Sequence, residues 1–73
     1  MVEWSPETLS DREREICLLV AEGMTCGAIA FQLKLSSRTV ETHIYSAARQ
    51  LPGKGTPMKK IMRLFNSLPR ETT

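Results

Sequence analysis

The sequence predicts an all-α fold, a compact domain of four helices. Apolar residues recur at helical spacing in four segments, and a Ser or Thr that can cap a helix precedes each segment. No strand-like alternation or internal repeat accompanies them, so we expect neither a sheet nor a wing. A chain of 73 residues supports one small core. We therefore predict a single domain over residues 1–73.

The first helix is predicted at about 11–22, after an N-terminal arm of residues 1–9. Ser10 followed three residues later by Glu13 is typical of a capping box, in which each side chain accepts a hydrogen bond from the other residue's backbone N–H. Gly23 provides the stop. The apolar positions between these signals share one face of the helix: Ile16, Leu19 and Val20.

The second and third helices are predicted at about 26–33 and 37–51. Thr25 caps the former, and either Ser36 or Ser37 caps the latter. Two short helices separated by so short a connection have the layout of a helix-turn-helix. Their inward positions follow helical spacing: Ile29, Ala30 and Leu33, then Val40, Ile44, Ala47 and Leu51.

The fourth helix is predicted at about 57–68. Pro52-Gly53-Lys54-Gly55 breaks the chain before it, Thr56 caps it, and Pro57 occupies its first position. Pro69 limits its far end. No other start or stop signal is needed to account for this segment.

This fourth helix has a wide apolar arc. Met58, Ile61, Phe65 and Leu68 lie on one side, and Met62 and Leu64 widen the arc to about 160°. So wide an arc exceeds what one small core needs, which predicts a symmetric dimer. The alternative is Met-rich packing within the core. The residues assigned to the dimer interface are Met58, Met62, Leu64 and Phe65.

The third helix has a polar face opposite its apolar stripe. At about 100° per residue, this outward face carries Arg38, Glu41, Thr42, Tyr45, Ser46 and Arg49. Charge is distributed in the same sense, since residues 1–35 have three Lys or Arg against six Asp or Glu, whereas residues 36–73 have seven against two. A polar, partly basic helix face fits the DNA major groove. Ordinary solvated helix faces are the alternative.

The residues of the outward face have different expected tasks. Thr42 and Tyr45 lie near its centre and are expected to read bases, and Glu41 can accept a hydrogen bond from cytosine N4. Arg38 and Arg49 lie nearer the DNA backbone or a guanine edge.

Other residues are candidates for the DNA backbone. Hydroxyls at a helix N-terminus suit either a phosphate or plain capping, and this applies to Ser36, Ser37 and Thr39. His43 is expected to be a half-buried packing residue or a phosphate contact rather than a metal ligand. The predicted DNA-binding set is completed by Thr25, Ser46 and Lys54.

Nothing in the sequence predicts a metal site, a cofactor or catalysis. Cys17 and Cys26 have no cluster of Cys or His around them. Cys17 lies in an apolar run and is expected in the core, whereas Cys26, near a helix N-terminus, is the more reactive candidate. No nucleophile has a plausible base partner and no glycine loop is suited to phosphate, so we expect no enzyme.

Residues 9–51 resemble the LuxR/GerE-type DNA-binding domain. The similarity lies in LSDREREICLLVAEGMTCGAIAFQLKLSSRTVETH, most specifically in LSDRERE, EGMT, IA and LSSRTVETH. The resemblance implies four helices, of which the third enters the major groove and the fourth commonly supplies the dimer contact. By length the chain looks like the freestanding members of that family. A sigma-factor fourth region is similar in its opening pattern but fits Thr39-Val40-Glu41-Thr42-His43 less well.

Two departures from the family pattern are visible. Family members frequently have a basic residue where this chain has Glu41. The linker has Pro52-Gly53 where a Gly followed by an aliphatic residue is usual, and it is about one residue longer. The base preference and the placement of the fourth helix are therefore not carried over directly.

These observations predict a sequence-specific DNA-binding transcriptional regulator that forms a homodimer on double-stranded DNA. The alternative is a protein-interaction module, an anti-activator or heterodimer partner that sequesters another regulator. RNA polymerase or another regulator is a further candidate partner. No apolar run approaches the roughly 20 residues that span a bilayer, and Met1-Val2-Glu3-Trp4 lacks the charged segment and apolar stretch that are typical of a signal peptide. We expect no membrane association and a cytoplasmic protein.

Overall fold

The computed structural model describes residues 6–67 and contains four α-helices. They are α1 (Asp11–Ala21), α2 (Cys26–Leu33), α3 (Ser37–Arg49) and α4 (Pro57–Asn66). A single 3₁₀ turn at Pro6–Thr8 precedes α1. No strand occurs among these described residues, and the all-α prediction is confirmed.

The helices begin at the capping residues that the sequence indicates. Ser10 Oγ accepts from the Glu13 N–H at 3.1 Å and the Glu13 carboxylate accepts from the Ser10 N–H at 3.1 Å, which completes the capping box. Thr25 and Thr56 cap α2 and α4 with their hydroxyl oxygens. For α3 the capping residue is Ser36, whose Oγ accepts a backbone N–H at 3.1 Å. Capping therefore places all four helices.

The helix ends differ slightly from the prediction. α1 ends at Ala21, one residue early, and α3 ends at Arg49, two residues early. At the end of α3 the Gln50 and Leu51 N–H groups bond to carbonyls three residues back, which tightens the last turn. α4 ends at Asn66, two residues before the predicted end, and the Ser67 hydroxyl donates to the Leu64 carbonyl at 2.8 Å. The predicted positions Leu68 and Pro69 lie outside the described residues.

The turn between α2 and α3 uses an unusual residue. Lys34 follows the last residue of α2 and adopts the left-handed conformation, with φ of 60° and ψ of 43°. Glycine is the residue most often found in that conformation at a helix end. The Leu35 N–H then bonds to the Ala30 carbonyl at 2.9 Å, which closes the turn and starts the approach to α3.

The structure describes the last residues of the predicted N-terminal arm, residues 1–9. Pro6–Thr8 forms the 3₁₀ turn, and Leu9 is buried in the core directly before the capping residue of α1. An apolar side chain at that position packs beside the first turn of the helix instead of remaining in solvent. Residues 1–5 of the predicted arm lie outside the described part of the chain.

One apolar core joins the four helices. α1 and α3 each pack against the other three helices. Most of the predicted inward residues are buried, but Leu19, Leu33 and Met58 are only half-buried at its edge. The buried members are Leu9, Ile16, Cys17, Val20, Ile29, Ala30, Val40, Ile44, Ala47, Ala48, Leu51, Ile61 and Phe65.

Two of the large apolar side chains that lie outside this core belong to α1 and α2. Phe31 on α2 is 88% exposed, and Leu18 on α1 is also exposed. Both lie roughly opposite the buried stripe of their own helix. Of the described helices, none combines the length and apolar character that crossing a membrane requires.

Candidate nucleic-acid interface

α3 presents the outward face that the sequence predicts. Its buried stripe fixes the helix against the core, while the opposite side stays in solvent. Tyr45 is 58% exposed near the middle of that side. The other exposed members are Arg38, Glu41, Thr42 and Arg49. A rigid helix with one buried and one polar side can be inserted into a groove without exposing its core.

Thr42 has a restricted hydrogen-bonding role. Its hydroxyl donates to the Arg38 carbonyl of the preceding turn at 3.0 Å. Since the hydrogen is engaged within the helix, the oxygen of Thr42 is left as an acceptor towards solvent. On a DNA groove edge such an acceptor would suit an amino group of adenine or cytosine, or the methyl group would suit thymine.

Ser46 does not belong to the outward face. It is half-buried, and its hydroxyl donates to Glu13 Oε2 at 2.6 Å. Its position in the helix turns it towards α1, about 100° from Tyr45. The assignment of Ser46 to DNA is therefore corrected, because the side chain connects α3 to α1.

Glu13 is the centre of this connection. Its side chain is buried, with 9% of the residue exposed. It accepts from the Ser46 hydroxyl, from Gln50 Nε2 at 3.3 Å and from the Ser10 N–H. The Ser46 hydrogen bond, more than any other contact, lowers the pKa of Glu13, against the opposing effect of burial.

The neighbouring charges of α1 pair among themselves instead of with Glu13. Arg12 contacts Glu15 at 3.3 Å, and Arg14 contacts Asp11 at 2.8 Å. These pairs lie on the solvent side of the helix, where each contributes little to stability. Glu13 is therefore held by neutral hydrogen-bond donors rather than by a cation.

The N-terminus of α3 collects hydroxyl groups. Ser36 Oγ accepts from the Thr39 N–H and donates to Thr39 Oγ1 at 2.9 Å. The Ser36 hydroxyl thus performs the capping and the Thr39 hydroxyl accepts from it, whereas Ser37 is exposed at the first helical position. The N–H groups of a first helical turn have no partner within the helix and attract anions. Ser37 and that turn are the better phosphate candidates.

The remaining predicted DNA-binding residues are spread around α3. Thr25 is exposed and caps α2 through its hydroxyl. His43 is half-buried on α3, and Lys54 is exposed in the loop between α3 and α4. Lys54 follows Arg49 beyond the end of α3, so two positive side chains lie near the C-terminal part of the helix.

A groove that the sequence analysis missed runs beside the outward face. It has a volume of about 320 Å³ and lies between α3, the start of α2 and the start of α4. Glu41 and Tyr45 form one wall, so the groove is continuous with the predicted base-reading surface. Its lining is Cys26, Glu41, Ile44, Tyr45, Thr56, Pro57 and Met58. No periodicity predicts it, because it depends on how the three helices meet.

Neither cysteine lies in an environment that favours a reactive thiolate. Cys17 is fully buried, as predicted, and burial raises the pKa of its thiol to about 12. Burial, and then the nearby Glu41 carboxylate, raise the pKa of the Cys26 thiol as well. A raised pKa disfavours the nucleophilic thiolate. Both thiols are therefore weak nucleophiles at neutral pH, and the greater reactivity of Cys26 relative to the fully buried Cys17 stays a prediction.

The structure also revises the predicted dimer surface on α4. Phe65 is 4% exposed and belongs to the core, and Met58 and Leu64 are half-buried against it. Of the four predicted residues, only Met62 is exposed, with 37% of its surface accessible to solvent. Most of the apolar arc packs against the core of the same chain. Phe65 is therefore removed from the candidate interface.

No group of three or more His, Cys, Asp or Glu side chains that could hold a metal ion occurs within residues 6–67. Glu41 beside Cys26 falls short of such a group. The organised feature at this surface is the polar face of α3.

Comparisons with known proteins agree with this geometry. The family model for bacterial regulatory proteins of the luxR family matches residues 7–56. The transcriptional regulatory protein FixJ of Rhizobium meliloti (strain 1021) is 37% identical over 51 residues, which cover 70% of this chain. The match spans 25% of the length of FixJ. No solved structure gives a significant match.

The matched region extends from the residues before α1 to the capping residue of α4. It therefore includes the capping box of Ser10 and Glu13, the turn at Lys34 and the whole of α3. The chain belongs to the luxR family of bacterial regulatory proteins.

Proposed function

We propose that this domain is a sequence-specific DNA-binding transcriptional regulator that inserts α3 into the major groove. The observation that carries the proposal is the outward face of α3, which is exposed and polar along its length while the opposite stripe is buried. A helix of this kind fits the major groove, where each base pair presents a distinct pattern of donors and acceptors. The family assignment supports the same role.

The proposed base-reading residues lie together. Tyr45, Glu41 and Thr42 occupy adjacent turns of α3, and each genuine base contact contributes roughly 1 to 3 kcal/mol of discrimination. Glu41 carries a negative charge, so it favours cytosine N4 and disfavours close approach to phosphate. Glu41 is also the one acidic residue on an outward face whose other charged residues, Arg38 and Arg49, are basic.

The proposed phosphate contacts surround the base-reading residues. Arg38 and Ser37 lie at the first turn of α3, and Arg49 and Lys54 lie beyond its other end. Thr25, Thr39 and His43 remain candidates at the edge of the same surface. Contacts of this type fix the register of the protein on the duplex without reading sequence.

We propose that two copies bind two half-sites about one helical turn, or roughly 34 Å, apart. Met62 is the exposed apolar side chain of α4 and the proposed contact, whereas half-buried Leu64 lies at the opposite margin of the apolar arc. Lys59 and Arg63 lie exposed on the same helix. Like charges on both copies oppose association, so the dimer is expected to be weak in solution and to form on DNA.

The test is selection of binding sites from random duplex DNA by the purified protein at near-physiological salt. Specific sites should be bound at least about 10³-fold more tightly than non-specific DNA. An enriched inverted repeat supports the dimeric reader, and an enriched single half-site supports the monomer. Folded protein that enriches no sequence contradicts the proposal.

A second candidate function is a protein-interaction module that binds another regulator or RNA polymerase. The observation that favours it is Phe31, whose ring is 88% exposed on α2. Phe31→Ser should then abolish regulation in cells without changing DNA affinity. Tyr45→Ala should instead leave regulation in cells intact while it lowers DNA affinity. Loss of DNA affinity in Phe31→Ser would remove this candidate. Either function requires access to the transcription machinery, for which the cytoplasm is the proposed location.

A further inference from the structure

α4 sends one positive side chain onto the end of α3. Lys60 Nζ donates to the Ala48 carbonyl at 3.1 Å and to the Leu51 carbonyl at 3.4 Å. The last carbonyls of a helix carry the negative end of the helix dipole. The Ala48 carbonyl also accepts the Leu51 N–H at 3.1 Å, so Lys60 adds a second, charged donor there. Lys60 is half-buried, so this contact is shielded in part from solvent. It holds the carbonyls on either side of Arg49.

A second positive side chain of α4 holds the loop after α3. Arg63 Nη2 donates to the Lys54 carbonyl at 3.1 Å. The backbone of Gly53 makes room for this guanidinium, since a Cβ at that position would lie 3.0 Å from Arg63 Nη2. Gly53 also has φ of +105°, a conformation that other residues rarely adopt. The Arg63 guanidinium therefore lies directly against the backbone of this loop.

We propose that Lys60 and Arg63 are positioning residues of the DNA interface, and we call them the cation grip. They fix the backbone that carries Arg49 and Lys54, and they do not themselves contact DNA. This proposal rests on the proposed function. It assigns to α4 a part in setting DNA affinity that is separate from dimerisation.

The alternative is that these two cations bind phosphate directly, as any exposed Lys or Arg near DNA can. The two roles differ in a measurable way. A residue that contacts phosphate releases a counterion and contributes to binding independently of its neighbours. A positioning residue acts through another side chain, so its removal has no further effect once that side chain is gone.

The first experiment is independent of DNA. Backbone order parameters of Gly53–Gly55 are measured by NMR in the wild type, in Arg63→Met and in the control Lys59→Met, which removes an exposed charge from the same helix. We expect values near 0.85 in the wild type and in the control, and below about 0.6 in Arg63→Met. Unchanged values in Arg63→Met would overturn the grip on the loop.

The second experiment is a double-mutant cycle on DNA binding. Lys54→Met should weaken binding about fivefold and reduce the slope of log affinity against log salt by about 0.9, the value for one phosphate. Arg63→Met should reproduce most of that loss. In the Lys54→Met background, Arg63→Met should change affinity by less than about twofold. Full additivity of the two losses would show a direct contact and overturn the proposal.

The same cycle applies to Lys60 with Arg49. Lys60→Met is expected to lower affinity in the wild type and to have little effect in Arg49→Met, and additive losses would exclude positioning. Thermal unfolding is recorded for each variant, and Lys60→Arg, which keeps a donor, should restore affinity if Lys60→Met folds poorly. If the wild type binds no specific DNA, the proposed function fails, while the NMR measurement still decides whether Arg63 holds the loop.

Discussion

The two halves of α3 are held in different ways. The first half begins at Ser36, whose hydroxyl exchanges hydrogen bonds with Thr39 three residues away. The second half is held from outside the helix, by Glu13 of α1 through Ser46 and Gln50 and by Lys60 of α4. The comparison teaches that the start of this helix is a local matter, whereas the orientation of its far end depends on contacts with the rest of the fold.

The largest expected effect comes from Glu13→Ala, which breaks the distant support. It removes an acceptor for Ser46, Gln50 and the Ser10 N–H, and it leaves those donors to find water at a partly buried site. We expect a loss of about 2 to 3 kcal/mol in the free energy of unfolding. Denaturant unfolding at pH 7 measures it. A loss no greater than that of a surface substitution would show that the Glu13 contacts do not stabilise α3.

A smaller expected effect is the pH dependence of the stability that Glu13 contributes. Because the pKa of Glu13 is lowered in the fold from an ordinary value of 4.5, its ionised form stabilises the protein above that value. This stability is lost as pH falls through the folded-state pKa. Ser46→Ala removes the leading cause of the lowered pKa. Its destabilisation should therefore be largest near pH 7 and should shrink at acidic pH.

Denaturant unfolding of wild type and Ser46→Ala at pH 7 and in the acidic range gives this dependence directly. Ser10 and Gln50 remain in place in the variant, so the Glu13 carboxylate keeps part of its support. An equal destabilisation at every pH would mean that Ser46 acts by packing rather than by its hydrogen bond to the ionised carboxylate.

Disrupting the start of α3 should lower the free energy of unfolding by less than disrupting the Glu13 contacts at its far end. Ser36→Ala removes one cap, which costs about 1 kcal/mol in typical helices. Ser37→Ala is the matched control, since Ser37 is exposed one residue later and is expected to change stability by less than about 0.5 kcal/mol. Thermal unfolding compares the two. A larger loss for Ser37→Ala would reverse the assignment of the cap.

Sequence patterns predicted the local half of this comparison better than the distant half. The caps and the buried stripe of α3 follow from residue type and spacing, and the outward positions of Tyr45 and Arg49 follow from the same period. Ser46 was misplaced because a helical wheel records which side it lies on only approximately and does not show that Glu13, 33 residues earlier, faces it.

The apolar residues show the same limit. On α4, Met62 and Phe65 both belong to a wide arc, and the sequence does not distinguish the residue that enters the core from the one at its edge. Phe31 lies opposite Ile29 and Leu33 on α2, so its spacing did contain a signal for exposure. The groove beside Glu41 had no such signal, since three separate segments form it.

The turn at Lys34 has a consequence for how the domain can change. An L-residue in the left-handed conformation costs roughly 1 to 2 kcal/mol relative to glycine. The chain thus keeps a four-carbon side chain at a position where its absence would relieve the backbone. Replacing Lys34 by glycine should therefore stabilise the fold, and that gain could offset a destabilising substitution elsewhere in the domain.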